Sequence, residues 1–187
     1  MSNLNEAVRK HIEGFWPDRP QEEFSWELGP IEARVPGFRV RRVAPVKSSD
    51  PWVYLTVGAS SVSEEDGIEF FLLAPSESPR HVETLAMVAS FHADSRYRLG
   101  LGRTVNIGRP WAEGAVADHL LVSLPYPYGP DLEVCEVDDA QVRILWLVPI
   151  TEPEARFAFD HGTEELERLF DAAGVDVLRP ERASLVP

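Results

Sequence analysis

Val142-Arg143-Ile144-Leu145-Trp146-Leu147-Val148-Pro149-Ile150-Thr151-Glu152-Pro153-Glu154 is the stretch that decides the fold. Its first part predicts a strand over Val142–Val148, with the apolar run continuing to Ile150. This is the most apolar segment of the chain, as expected of a strand covered on both faces at the centre of a sheet. The chain then turns into a helix at once. Thr151 and Glu154 have the spacing of a capping box, and Pro153 falls in the first turn, where a missing N–H does no harm. Phe157 lies on that helix. Thr163 is placed to cap a further helix bearing Leu166, Leu169 and Phe170, with Gly174 as its left-handed stop.

Working back toward the N-terminus, short strand candidates recur at Thr104–Ile107, His119–Leu124 and Leu132–Val137, separated by Gly108-Arg109-Pro110 and by the Pro125–Pro130 turn. Before them, Ser78-Pro79 opens a helix with an apolar stripe of Val82, Leu85, Ala86 and Ala89. Earlier strands are predicted at Phe24–Leu28, Phe38–Val43, Trp52–Val57 and Glu69–Ala74. Trp52, Tyr54 and Thr56 alternate with Val53, Leu55 and Val57, which suits a strand buried on both sides. Leu4, Val8, Ile12 and Phe15 recur at helical spacing, and Trp16-Pro17 ends that helix. No repeat or long linker divides the chain. The expectation is a single-domain α+β protein: a mixed, mostly antiparallel sheet with helices packed on it. Residues 1–20 form an N-terminal amphipathic helix and connector, and residues 21–187 the domain proper.

Composition excludes several function classes. The 187 residues carry a formal net charge of −13, which argues against phosphate-rich partners, hence no nucleic acid, and against anionic membrane surfaces. It fits a basic protein partner. The acidity is concentrated late: Asp131–Pro187 holds fourteen acids and five arginines, whereas Arg34–Lys47 holds five bases and no acid. No signal-type or membrane-spanning apolar run occurs, so the expected location is cytoplasmic. One cysteine, Cys135, leaves no disulfide or cysteine-based metal site within the chain.

Catalytic patterns are missing. Gly58-Ala59-Ser60-Ser61 lacks the Gly-x-Ser-x-Gly elbow and reads as a turn after a strand. Cys135 lies in a strand, where a small buried residue is the commoner case. His81 and His92 return to one helix face, but about 16 Å apart, too far to share a metal. Gly100, Gly102 and Gly108 follow a helix and precede a strand, the reverse of a phosphate cradle. No catalytic residue, metal or cofactor is therefore expected. Two polar groups stay open. Glu69, heading Phe70-Phe71-Leu72-Leu73, is exposed by alternation, held by structural hydrogen bonds, or paired; with Arg103, Thr104 and Asn106, and with Trp111 beyond, it makes up the one conceivable distributed small-ligand or enzyme site. Arg39, Arg41 and Arg42 are either a solvated strand face or an anion contact. For a protein partner the candidates are the acidic tip Glu64, Glu65, Asp66 and the turn aromatics Trp111, Tyr126 and Tyr128, which are lids on the core or interface anchors.

An ordered series of segments carries a resemblance: Pro51-Trp52-Val53-Tyr54 leading to Gly58, Gly67-Ile68-Glu69-Phe70-Phe71-Leu72-Leu73-Ala74-Pro75, Gly102 to Trp111, Leu121 to Tyr126, Leu145 to Thr151 with Glu154 and Phe157, and Arg179 to Val186. It resembles the Suppressor-of-fused domain in its compact bacterial form, over roughly Trp26 to Val186. The resemblance implies an α+β domain used for protein–protein contact without known catalysis. The animal relative adds a short peptide of a transcription factor as a strand at a sheet groove, and has a second, C-terminal domain not seen here. Its peptide contacts fall near the loop that is here Ser60 to Gly67, which is shorter and different, so no contact residue carries over. Bacterial members also resemble immunity proteins, which implies as partner a basic toxin domain, or a peptide at a sheet edge.

Overall fold

The last strand does sit at the centre. In a computed structural model, which describes residues 2–63, 67–137 and 140–187, it runs Ala140–Ile150 and has neighbours on both sides. In chain order the described elements are α1 (Ser2–Phe15), β1 (Gln21–Phe24), α2 (Ile31–Arg34), β2 (Arg39–Val43), β3 (Trp52–Val57), β4 (Gly67–Ala74), α3 (Pro79–His92), β5 (Thr104–Asn106), β6 (His119–Ser123), α4 (Pro130–Glu133), β7 (Val134–Val137), β8 (Ala140–Ile150), α5 (Glu152–His161) and α6 (Thr163–Ala173). They build one sheet in the order β1-β2-β3-β4-β8-β6-β5, with β7 pairing the start of β8. Among the described residues only β4 and β8 run parallel, in register Gly67↔Val142 to Phe71↔Trp146, so the sheet is mixed and mostly antiparallel. A parallel neighbour needs a long crossover, and α3, β5 and β6 supply it.

Period-two alternation explains the layers. Along β3, Val53, Leu55 and Val57 join one apolar cluster while Tyr54 joins the other. Along β8, Ile144, Trp146 and Val148 face the first cluster, Leu145 and Leu147 the second. The first face is covered by Val8 and Ile12 of α1 with Trp16 just after it, Leu132 of α4, Ala155 and Ala158 of α5, and Leu166 and Phe170 of α6. The second is covered by Ile31 of α2, by Val82, Leu85 and Ala89 of α3, and by Ile107, Trp111 and Ala117 of the β5–β6 connection. Each fully buried Val, Leu or Phe contributes roughly 1.5–3 kcal/mol through removal from water. The result is an α+β sandwich of helices on both faces of one sheet.

Three local expectations are corrected. The first strand lies at Gln21–Phe24, not Phe24–Leu28, because Glu22 and Glu23 oppose Arg42 and Arg41 of β2 and pair with them at the sheet's edge. The strand expected over Leu132–Val137 begins at Val134, since Gly129 and Pro130 start a helical turn first. Thr163 does not cap α6: Gly162 holds the N-cap position, and Gly102 (φ +80°) packs so close that a Cβ there would lie 3.1 Å from Thr163 Oγ1. The capping box at Thr151–Glu154 forms as read, and Gly174 ends α6 in the left-handed region (φ +59°).

The C-terminal tail is tied to that same capping box. Glu154 is fully buried and accepts from the Thr151 amide, the Leu185 amide and, through both its oxygens, from Arg182 at 2.7 and 2.8 Å. Arg182 also donates to the Pro149 carbonyl and lies over the Phe170 ring. Burial alone would raise the Glu154 carboxyl; the hydrogen bonds from Arg182, Thr151 and Leu185, with the Arg182 charge, outweigh it and hold the pKa below its ordinary value.

Candidate partner-binding surface

Glu69 lies where the β3–β4 ladder stops. The paired register ends at Leu55↔Phe71, and the Phe70 amide turns to the hydroxyl of Thr56 instead. That hydroxyl donates onward to Glu69 at 2.5 Å. Beyond Gly58, whose φ of +112° turns the chain back, a short 3-10 helix at Ala59–Val62 aims its first amides at the same carboxylate. Glu69 thereby accepts from the amides of Gly58, Ala59 and Ser60 and from the hydroxyls of Thr56 and Ser60. It is fully buried, and among the described residues it has no cationic partner. A carboxylate offers about four lone-pair directions, and five donors occupy them. Of the three sequence alternatives for Glu69, structural hydrogen bonding is the one observed. Its neighbour Cys135 is buried, and burial, followed by the charges of Glu69 and Glu136, pushes the thiol up to about 11.

The other members of the conceivable polar site are not brought to Glu69. Arg103, Thr104 and Asn106 belong to β5 and its approach, three strands away from β4, which is about 14 Å at normal strand spacing. Arg103 and Asn106 are exposed, and Asn106 closes its own turn by accepting from the Gly108 amide. Trp111 is only 1 % exposed and packs beside His81 as a lid on the core, its amide donating to the Ala117 carbonyl. Tyr128 is half-buried in a ring cluster with Phe15, Trp16 and Phe71. Tyr126, by contrast, is 60 % exposed. Glu64, Glu65 and Asp66 lie outside the described residues. No group of three or more His, Cys, Asp or Glu residues suited to a metal occurs among those described, and no described helix is long and apolar enough to cross a membrane.

Two of the three arginines of the basic strand are spent on internal ion pairs, while Arg39 donates to the Phe38 carbonyl. Arg41 pairs with Glu13 and Glu23, and Arg42 with Glu22 and Glu77 while lying over Phe24 and Trp52. These contacts are intramolecular, and they leave the excess acid elsewhere. On α6, Glu164, Glu167 and Asp171 follow at i, i+3 and i+7 and so share one flank, beside the buried Leu166 and Phe170. Arg168 is taken by Glu165 and Arg156 by Glu152, and no cation among the described residues pairs with the three acids of the flank. Sequence reading missed this flank. Its signal was the spacing, obscured by Arg168, which stands four residues after Glu164 and promises a pair that forms with Glu165 instead.

Tyr126 stands against the flank. Its hydroxyl lies 3.5 Å from Glu167, which also accepts from Ser123. Partial burial first, then the charges of Glu167, Asp171 and Glu164, raise the tyrosine pKa, which places all three carboxylates within electrostatic reach of one ring. Between α6 and the sheet opens a cleft of about 390 Å³, floored by Leu121, Trp146, Val148 and Phe170 and rimmed by Glu167 and Asp171. Trp146 stacks on Phe71, and its indole N–H is buried without an acceptor among the described residues.

Comparison with known proteins fits this geometry into a family. The Suppressor of fused protein model matches residues 35–183. The crystal structure of a Suppressor of fused homologue from Neisseria gonorrhoeae superposes with a TM-score of 0.89 at 44 % identity, over 100 % of this chain and 99 % of that one. Drosophila Suppressor of Fused gives 0.75 at 12 % identity, with this chain spanning about half (51 %) of its length. Sufu in its complex with Fu gives 0.73, also at 12 %; at that identity these two speak to fold alone. Among curated proteins, Immunity protein YqcF of Bacillus subtilis is 31 % identical over 68 residues, a match spanning only 35 % of that protein. On the family match and the full-length likeness to the Neisseria protein, the chain belongs to the Suppressor of fused protein family.

Proposed function

We propose that this chain is a non-catalytic protein-binding module of the cytoplasm that neutralises a basic toxin domain, in the manner of an immunity protein. The observation that carries the reading is the α6 flank: three carboxylates with no cation among the described residues, beside an exposed tyrosine, on a protein whose Arg41 and Arg42 are already paired. Free carboxylates of one sign steer a basic partner and favour its docked orientation. The short likeness to Immunity protein YqcF supports the same direction. Tyr126 is the aromatic anchor in this reading, with Tyr128 behind it; the acidic tip Glu64, Glu65 and Asp66 is a second contact. A peptide added as a strand would meet the open edge of β1 or β5, both of which end the sheet.

The competing reading, an enzyme or small-ligand site around Glu69 and Arg103–Trp111, has little to work with. The Glu69 carboxylate has its lone pairs occupied, Trp111 is in the core, and Cys135 is buried with a raised pKa. The test is co-expression with a toxin domain encoded beside this gene. Growth should be restored, and the purified pair should bind tightly at low salt and more weakly at high salt. A gene neighbourhood without a toxin, together with no rescue of any basic nuclease tested, would sink the proposal.

A further inference from the structure

The cleft beneath α6 is more specific than a patch of negative charge. Its floor is apolar, the Trp146 ring included, and its rim is anionic. Glu167 and Asp171 at the rim ask for a cation, and Tyr126 offers an aromatic face close to them. One ligand chemistry meets all of these demands: a polypeptide segment in which an arginine stands next to an apolar side chain. The guanidinium matches a carboxylate in a planar, two-bond geometry and stacks on a ring, and the apolar neighbour fills the floor. A polyamine would satisfy the rim alone.

We propose that the α6 cleft seats an arginine-bearing apolar segment of a protein partner, its guanidinium against Glu167 and Asp171 and its apolar neighbour against Trp146, Val148 and Phe170. This rests on the protein-binding reading and names the surface and the partner chemistry within it. The test is a ¹H–¹⁵N NMR titration that follows the Trp146 indole resonance, assigned sequentially and checked by its loss in Trp146→Phe. The probe is the blocked peptide Ser-Leu-Arg-Leu-Arg-Ser, with Ser-Leu-Glu-Leu-Glu-Ser and spermine as controls. The arginine peptide should shift the indole resonance saturably, and Glu164→Gln/Asp171→Asn, both exposed, should weaken it about tenfold, equivalent to ~1.4 kcal/mol. No saturable shift at millimolar peptide overturns the proposal, and so does an equal response to spermine, which would mean a cation site only. If a toxin partner from the rescue experiment binds Glu164→Gln/Asp171→Asn as tightly as the parent protein, the cleft proposal falls and the protein-binding reading stands. If no protein partner exists yet the peptide shifts the resonance, the toxin reading falls and the cleft stands.

Discussion

Glu69 on β4 and the Glu164–Glu167–Asp171 flank of α6 are both assemblies of carboxylate in an acidic protein, and they are solved in opposite ways. At Glu69 the charge is fully buried and met by five neutral donors, three of them backbone amides. On the flank the charges are left at the surface without cations, with Glu167 held only by Ser123 and Tyr126. A group whose every bond is made inside the fold has nothing left with which to bind. A group with unmade interactions weakens the fold slightly by repulsion and can gain them from a partner. Glu154 stands with Glu69: also fully buried, but compensated by the charge of Arg182. The difference predicts that the buried nodes govern stability and the flank governs association.

The largest effect is expected at Glu69. Glu69→Ala strands the Gly58, Ala59 and Ser60 amides and two hydroxyls in the interior, and should cost on the order of 5 kcal/mol, enough to prevent folding of a marginal domain. Glu69→Gln restores one acceptor oxygen but turns an NH2 toward donors, and about half that loss is expected in chemical denaturation. A Glu69→Gln protein of parental stability that had lost toxin binding would break the comparison, because it would make the node functional. Arg182→Met comes next. It leaves Glu154 buried without its cation and frees the tail, for about 3–4 kcal/mol, while adding Glu154→Leu should recover part of the loss.

A third test uses pH. His81 and His92 are buried, and burial, followed for His81 by Arg80 and Arg109 and for His92 by Arg98, lowers both pKa values to about 4 from the ordinary 6.5. A contact with Ser76 works in the opposite sense on His81 without reversing it. The unfolded chain therefore binds protons that the folded chain refuses. The stability these neutral rings confer is complete above pH 6.5 and is lost progressively as pH falls toward 4. Glu154, with its lowered pKa, adds a second loss below the ordinary carboxylate range. Denaturation midpoints should thus fall from about pH 6.5 downward, and His92→Gln, which can still accept from the Leu99 amide, should flatten the upper part of that slope. An unchanged slope in that variant would mean that His92 does not resist protonation in the fold.

The readings that held were those in which one segment's own chemistry sets its fate. The apolar run ending in Thr151 and Glu154 specified a central strand and a capped helix without help from distant residues. β1 was misplaced because its polar Gln21, Glu22 and Glu23 give no apolar signal; cross-strand arginines hold them, and those lie some twenty residues away. Glu69 could not be decided locally, since its donors come from a loop bend that only the folded backbone aims at it. Trp111 reads alike as lid or anchor until His81 is seen beside it. The α6 flank escaped for a related reason: whether Arg168 neutralises Glu164 or Glu165 is a matter of rotamer, not of spacing.

The smallest effect on stability, and the sharpest test, lies on that flank. Glu164→Gln/Asp171→Asn removes two exposed like charges that share a helix face, and no buried contact is lost with them. Stability should change by no more than about 0.5 kcal/mol, with relief of repulsion favouring a slight gain. Association with a basic partner should weaken, mainly through a slower on-rate, and its salt dependence should become shallower, because fewer charges then steer the encounter. The pair of readouts matters more than either alone. Loss of stability without loss of binding would place the flank with Glu69 as a structural element, whereas weaker, less salt-sensitive binding in a fully stable protein is what carboxylates left open for a partner require.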